Sequence, residues 1–131
     1  MPRLPHTAFL LSLAFSGSGL ADTNNSDDVR AGERLYVQCT GCHAPDYNRT
    51  GPRHCGLLGR AAGSLENFVF TPAMRSSGII WTAESLDDFL QAPLRKVPGT
   101  SMAFAGLSLA EERQQVIAYL ATLTPDNPVC R

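Results

Sequence analysis

The sequence is poor in lysine. Lys96 is the only one among 131 residues, and ten arginines bring the basic total to 11 against 12 acidic residues. Binding to nucleic acid or to an anionic membrane surface needs a basic patch, and a formal net charge of −1 supplies none. Long apolar runs are missing too. The run from Thr7 to Phe15 falls far short of the ~20 apolar residues that span a bilayer, so no membrane anchor is expected. Convincing strand patterns are absent, which argues against a sheet. There is no second C-x-x-C and no H-x-x-x-H, so half of any ordinary zinc site is lacking.

What is present begins with an export signal. Arg3 is a thin positive start, residues 7–15 are apolar, and Gly19-Leu20-Ala21 places small residues before a cleavage point. A buried N-terminal helix is the competing reading, and Gly17, Gly19 and the polar stretch 22–28 speak against it. Residues 1–21 are therefore expected to be a leader removed on delivery to the periplasm. Residues 22–131 then form one domain, with tails at 22–28 and 124–131. Loss of Arg3 leaves ten basic against twelve acidic residues, a net charge of −2.

The domain reads as all-α, with three or four helices and long loops. Asp27 or Asp28 can cap a helix running to about Gln38. Residues 43–63 are rich in glycine and proline and read as loop. A short helical turn is expected over 72–76. Thr82 reads as the cap of a helix carrying Leu86, Phe89 and Leu90, which must stop by Pro93. Ser108-Leu109-Ala110-Glu111 has the form of a capping box. It opens a helix to about Leu123, with Leu109, Val116, Ile117, Leu120 and Leu123 on helical spacing, and Pro125 lies beyond its end. So much irregular backbone in about 110 residues buries little apolar surface, and a large apolar cofactor would supply the missing core.

Cys39-Thr40-Gly41-Cys42-His43 names that cofactor. In C-x-x-C-H two thiols add across the two vinyl groups of haem, and the adjacent histidine meets the iron. A thioredoxin-like pair would need strand–helix–strand surroundings. A lone structural disulfide would leave His43 unexplained. For a sixth ligand, Met102 in the loop Pro98-Gly99-Thr100-Ser101-Met102 is the first candidate and Met74 its rival.

In these features the chain resembles the class I cytochromes c, the mitochondrial cytochrome c and bacterial cytochrome c2 type. The resemblance runs from about Gly32 to Leu123. Its segments are Gly32-Glu33-Arg34-Leu35-Tyr36, the haem motif, Thr50-Gly51-Pro52, Gly56-Leu57-Leu58-Gly59-Arg60 and Gly78-Ile79-Ile80-Trp81. Pro98 to Met102, Phe104-Ala105-Gly106 and Ile117-Ala118-Tyr119-Leu120 complete it. It implies a class I cytochrome c fold around one haem c, bound covalently through Cys39 and Cys42, with His43 and Met102 on the iron. It further implies that the Pro52 carbonyl accepts the His43 Nδ1 proton. Trp81 Nε1–H would serve a haem propionate with Arg60 nearby, and the Thr100 hydroxyl would serve the distal side. Phe104 would flank the exposed haem edge, and Gly32 and Tyr36 would pack on the last helix near Tyr119.

Departures from the family pattern carry information. Phe70 and Phe89 stand where tyrosine is usual, and Met74 replaces a polar residue, so the haem surroundings should be drier. The family's lysine ring is mostly gone: Leu94, Arg95 and Lys96 stand in that region, and Ser101 precedes the methionine. Strong electrostatic steering to an acidic partner is therefore not expected. Cys55 and Cys130 remain after haem claims two thiols. They can pair internally, stay free, or join another molecule through Cys130. His54 reads as a loop or surface histidine rather than a ligand. The function implied is a monomeric electron carrier, not an enzyme, docking transiently on periplasmic or membrane-bound redox enzymes. A ligand-binding or peroxidase-like haem protein is the alternative.

Overall fold

The structure is a computed structural model that describes residues 23–131. The expected leader, 1–21, lies outside the described residues. Helix α1 spans Thr23–Leu35 and tightens into a 3-10 turn over Tyr36–Cys39. It begins ahead of Asp27 and Asp28, so 23–28 is helix rather than tail. Once a helix is nucleated, each further residue adds one hydrogen bond, and short polar residues do not prevent that extension.

The longest packing in the fold is α1 against α5 (Ala110–Thr122). Gly32 makes the approach possible. A Cβ there would lie 1.8 Å from the Gln115 carbonyl oxygen, so any side chain would force the helices apart. One turn further on, the Tyr36 ring packs on that of Tyr119 with centroids 5.0 Å apart. Val116, Ile117, Leu120 and Leu123 are buried as their spacing predicts, but Leu109 is exposed. The Ser108–Glu111 capping box does not form: α5 begins at Ala110 without a side-chain cap. Ser108 is held in the preceding loop instead. Arg113, buried, donates to the carbonyls of Leu107 (2.9 Å) and Ser108 (3.0 Å) and pairs with Asp87 at 2.8 Å.

The middle of the chain supplies the remaining walls. Helix α2 (Pro72–Arg75) is capped by Thr71, whose hydroxyl accepts from Met74 N. Helix α3 (Ala83–Gln91) starts at Thr82 as expected, in a reciprocal capping box with Ser85. It buries Leu86, Phe89 and Leu90. Pro93 ends α3 and opens a new turn, α4 (Pro93–Lys96), for which the sequence held no clear sign. Proline is excluded from a helix interior but suits a first turn, where no N–H is needed. Among the described residues there is no strand, only one isolated antiparallel bridge, Ala61 to Ile80. The fold is all-α.

Of the three fates open to Cys55 and Cys130, the structure shows the internal disulfide. It ties the C-terminal turn, Pro128–Cys130, to the loop after the haem motif. Gly56 N donates to the Leu123 carbonyl at 2.8 Å beside it, so residues 124–131 are fastened at both ends.

Candidate haem-binding site

The 3-10 turn that ends α1 delivers the C-x-x-C-H motif. The amides of Cys42 and His43 both donate to the Cys39 carbonyl, at 3.1 and 2.9 Å, which folds the motif into one compact turn. His43 is buried, and its Nδ1 donates to the Pro52 carbonyl at 2.7 Å. A carbonyl carries no hydrogen, so Nδ1 holds the proton and Nε2 keeps its lone pair for a metal. Burial lowers the pKa of His43, and the bond to Pro52 works against that shift. The neighbouring Gly51 has to be glycine: a Cβ would sit 2.3 Å from His43 Cε1. Gly51 N donates to the Cys42 carbonyl at 2.7 Å, which pulls this strip of backbone against the ring.

His43 looks into a largely apolar cavity that is partly open to solvent. Cys39, His43, Pro52, Arg60, Trp81 and Met102 all line it, as do Met74, Phe70 and Phe89. A second opening shares Cys39, His43 and Met102 and adds Cys42, Phe68 and Phe104. Thr100 sits behind Met102, buried, with its hydroxyl accepting from Met102 N at 3.3 Å. Cys39, His43, Pro52, Arg60, Trp81 and Met102 thus share one cavity, with Cys42 at the second opening and Thr100 close to Met102 in the chain.

The chemistry of the lining fits haem. Cys39 and Cys42 are unpaired while the other two cysteines are bonded to each other. Burial pushes the Cys39 thiol up to about 11, the opposite of the acidic thiol that a redox-active dithiol needs. Among the described residues no group of three or more His, Cys, Asp or Glu side chains is arranged to hold a metal ion. The Arg60 guanidinium donates to the carbonyls of Cys55 (3.2 Å) and Arg53 (3.0 Å) and, among the described residues, has no carboxylate partner. Its positive charge therefore remains available to an anionic group at the cavity. Trp81 is buried in the same wall, placed by backbone bonds from Gly59 N to its carbonyl (2.8 Å) and from its own N–H to the Arg60 carbonyl (3.0 Å).

Much of the rest of the lining is apolar. Phe89 meets Trp81 edge-on at 5.1 Å, and Met74 is buried in the same cluster. Sequence reasoning missed one element. His54 lies in a loop, as expected, yet it turns inward and lines the cavity against His43. Its place two residues after Pro52, whose carbonyl serves His43, was the only signal for it in the sequence.

The mouth of the second opening carries no aspartate, glutamate, lysine or arginine. Val69 next to it is 91% exposed, between Phe68 and Phe70, whose rings meet edge-on. The single lysine is tied to Asp88 at 2.8 Å.

This arrangement defines a haem-binding electron-transfer protein. Residues 29–124 match the Cytochrome c family, and the chain belongs to it. It is 43% identical to a cytochrome c2 of Afifella marina over 76% of this chain and 86% of that protein. A cytochrome c2 of Agrobacterium tumefaciens is 39% identical, over 77% and 96%. Among solved structures, cytochrome cH from Methylobacterium extorquens superposes with a TM-score of 0.71 at 38% identity, covering 72% of this chain and 98% of that one. The chain is an electron carrier of this family, not an enzyme.

Proposed function

We propose that the chain carries single electrons in the periplasm, holding one haem c through thioether bonds from Cys39 and Cys42. The observation that carries this reading is the convergence of Cys39, His43 and Met102 on one apolar cavity, with the His43 Nδ1 proton committed to Pro52. Haem supplies the one-electron chemistry, its iron alternating between ferric and ferrous.

In this proposal His43 Nε2 and the Met102 sulfur would hold the haem iron. With both committed to it, electron transfer would be outer-sphere, through the haem edge. Pro52 holds the Nδ1 edge of the His43 ring. Arg60 and Trp81 hold a propionate, and Thr100 braces the Met102 loop. Met74, Phe70 and Phe89 keep water from the centre, so little solvent reorganises when charge changes. Delivery to the periplasm is through the 1–21 leader, and among the described residues no helix is long and apolar enough to cross a membrane. The protein acts as a monomer. Partners are periplasmic or membrane-bound redox enzymes that dock transiently on the uncharged mouth beside Phe104, and Leu94 is a further exposed apolar residue for such a patch. A small contact is weak and is released quickly, as a shuttle requires.

Visible absorption of the exported, haem-matured protein tests this. Low-spin spectra in both redox states, a methionine–ferric charge-transfer band and indifference to carbon monoxide are expected. A high-spin spectrum or ready carbon monoxide binding would show that Met102 does not hold the iron, and would favour a ligand-binding or peroxidase-like protein.

A further inference from the structure

His43 is held on more than its Nδ1 edge. The imidazole of His54 stacks on it, with ring centroids 4.3 Å apart and planes inclined by 23°. His54 is itself fixed. Its Nδ1 lies 2.9 Å from the Tyr36 hydroxyl, and the Tyr36 ring meets it edge-on at 5.6 Å. Tyr36 is clamped in turn by Tyr119 on α5, with centroids 5.0 Å apart. The order Tyr119, Tyr36, His54, His43 therefore runs as one packed row from the last helix to the iron ligand.

A single hydrogen bond from Nδ1 to Pro52 sets where one edge of the His43 ring points. It leaves the ring free to rock about that bond, because carbonyl acceptors tolerate a broad range of directions. A flat face pressed against the ring removes that freedom.

We propose that His54, steadied by the Tyr36 hydroxyl, is the positioning residue that sets the plane of the His43 ring. The plane of an axial imidazole selects the iron orbital that mixes with the porphyrin, and partners that orient a ligand tune the metal in this way. His54 thereby governs where on the haem the exchanged electron is spread. This inference rests on the reading that His43 ligates haem iron.

The test is proton NMR of the ferric, haem-loaded full chain, whose haem-methyl resonances report the axial ring plane, together with its EPR g values. His54→Leu removes the flat face at similar volume, Tyr36→Phe frees His54 while leaving both rings, and His54→Phe restores a flat face. His54→Leu and Tyr36→Phe are expected to change the order or spread of the methyl resonances, and His54→Phe to move them back toward the wild-type pattern. Should His54→Leu fail to mature, Tyr36→Phe carries the test. Unmoved methyl resonances and g values in these two variants, with or without a lower Tm, would show that His54 only fills space and would overturn the inference. A wild-type protein without low-spin haem would instead overturn the proposed ligation, so the two failures are distinct.

Discussion

Phe89 meets Trp81 in the cavity wall and offers the Met102 side no hydroxyl. A tyrosine at this place would bring a donor within reach of the thioether sulfur, withdraw charge from it and favour ferrous iron. Phe89→Tyr is therefore expected to raise the midpoint potential by about 20–60 mV, the equivalent of one ordinary hydrogen bond for a one-electron couple. A potentiometric titration showing no change or a fall would remove this account. Gly51 makes a second point at the same scale. With His43 Cε1 only 2.3 Å from a would-be Cβ, Gly51→Ala must push the ring off Pro52. Exported protein carrying this change should contain mainly high-spin or no haem, measured by its visible spectrum against wild type.

At the scale of elements, the crossing of α1 and α5 decides whether the haem motif is presented at all, because Cys39 lies at the end of the turn that continues α1. Gly32→Ala inserts a methyl 1.8 Å from a backbone oxygen that cannot rotate away. The expected loss is about 3 kcal/mol, the upper end for overpacking, read as a lower denaturant midpoint with an unchanged slope. The ends of the helices were unequally legible. Thr82 could be read as a cap because its partner Ser85 is local. The α5 start could not be read in the same way. Arg113 reaches back to Leu107 and Ser108 and across to Asp87 on α3, and a contact spanning 26 residues leaves no local pattern.

For the molecule as a whole, the disulfide closes a separation of 75 residues. Replacing both partners, Cys55→Ser with Cys130→Ser, is expected to cost about 2–4 kcal/mol by releasing the unfolded chain. Haem content should be unchanged, and thermal unfolding of the double variant measures the loss. Charge makes the other prediction at this scale. The mouth is free of charged side chains, and the only lysine is paired. The bimolecular rate of electron exchange with a redox partner should therefore vary little with ionic strength. A fall of tenfold or more between low and moderate salt, followed by stopped flow, would place the docking contact on a charged face instead.

The sequence by itself determined the haem-attachment motif and several local elements. C-x-x-C-H needs only five consecutive residues, and the Thr82 cap, the helix stop at Pro93 and the apolar spacing of α5 past residue 116 are likewise local. Pro52, Arg60, Trp81 and Thr100 were singled out only through resemblance to a family, since nothing in their spacing brings them together, whereas Met102 was already a candidate from its loop. What the tertiary structure alone decided is what depends on distant segments meeting. It closed Cys55 on Cys130 rather than leaving either thiol free, buried Arg113 where a helical stripe called for apolar residues, and exposed Leu109. It also turned His54 inward onto His43, held there by a tyrosine 18 residues earlier in the chain. Local pattern reports which face of an element is apolar. Only packing fixes which partner that face meets, because burial energy has no direction of its own.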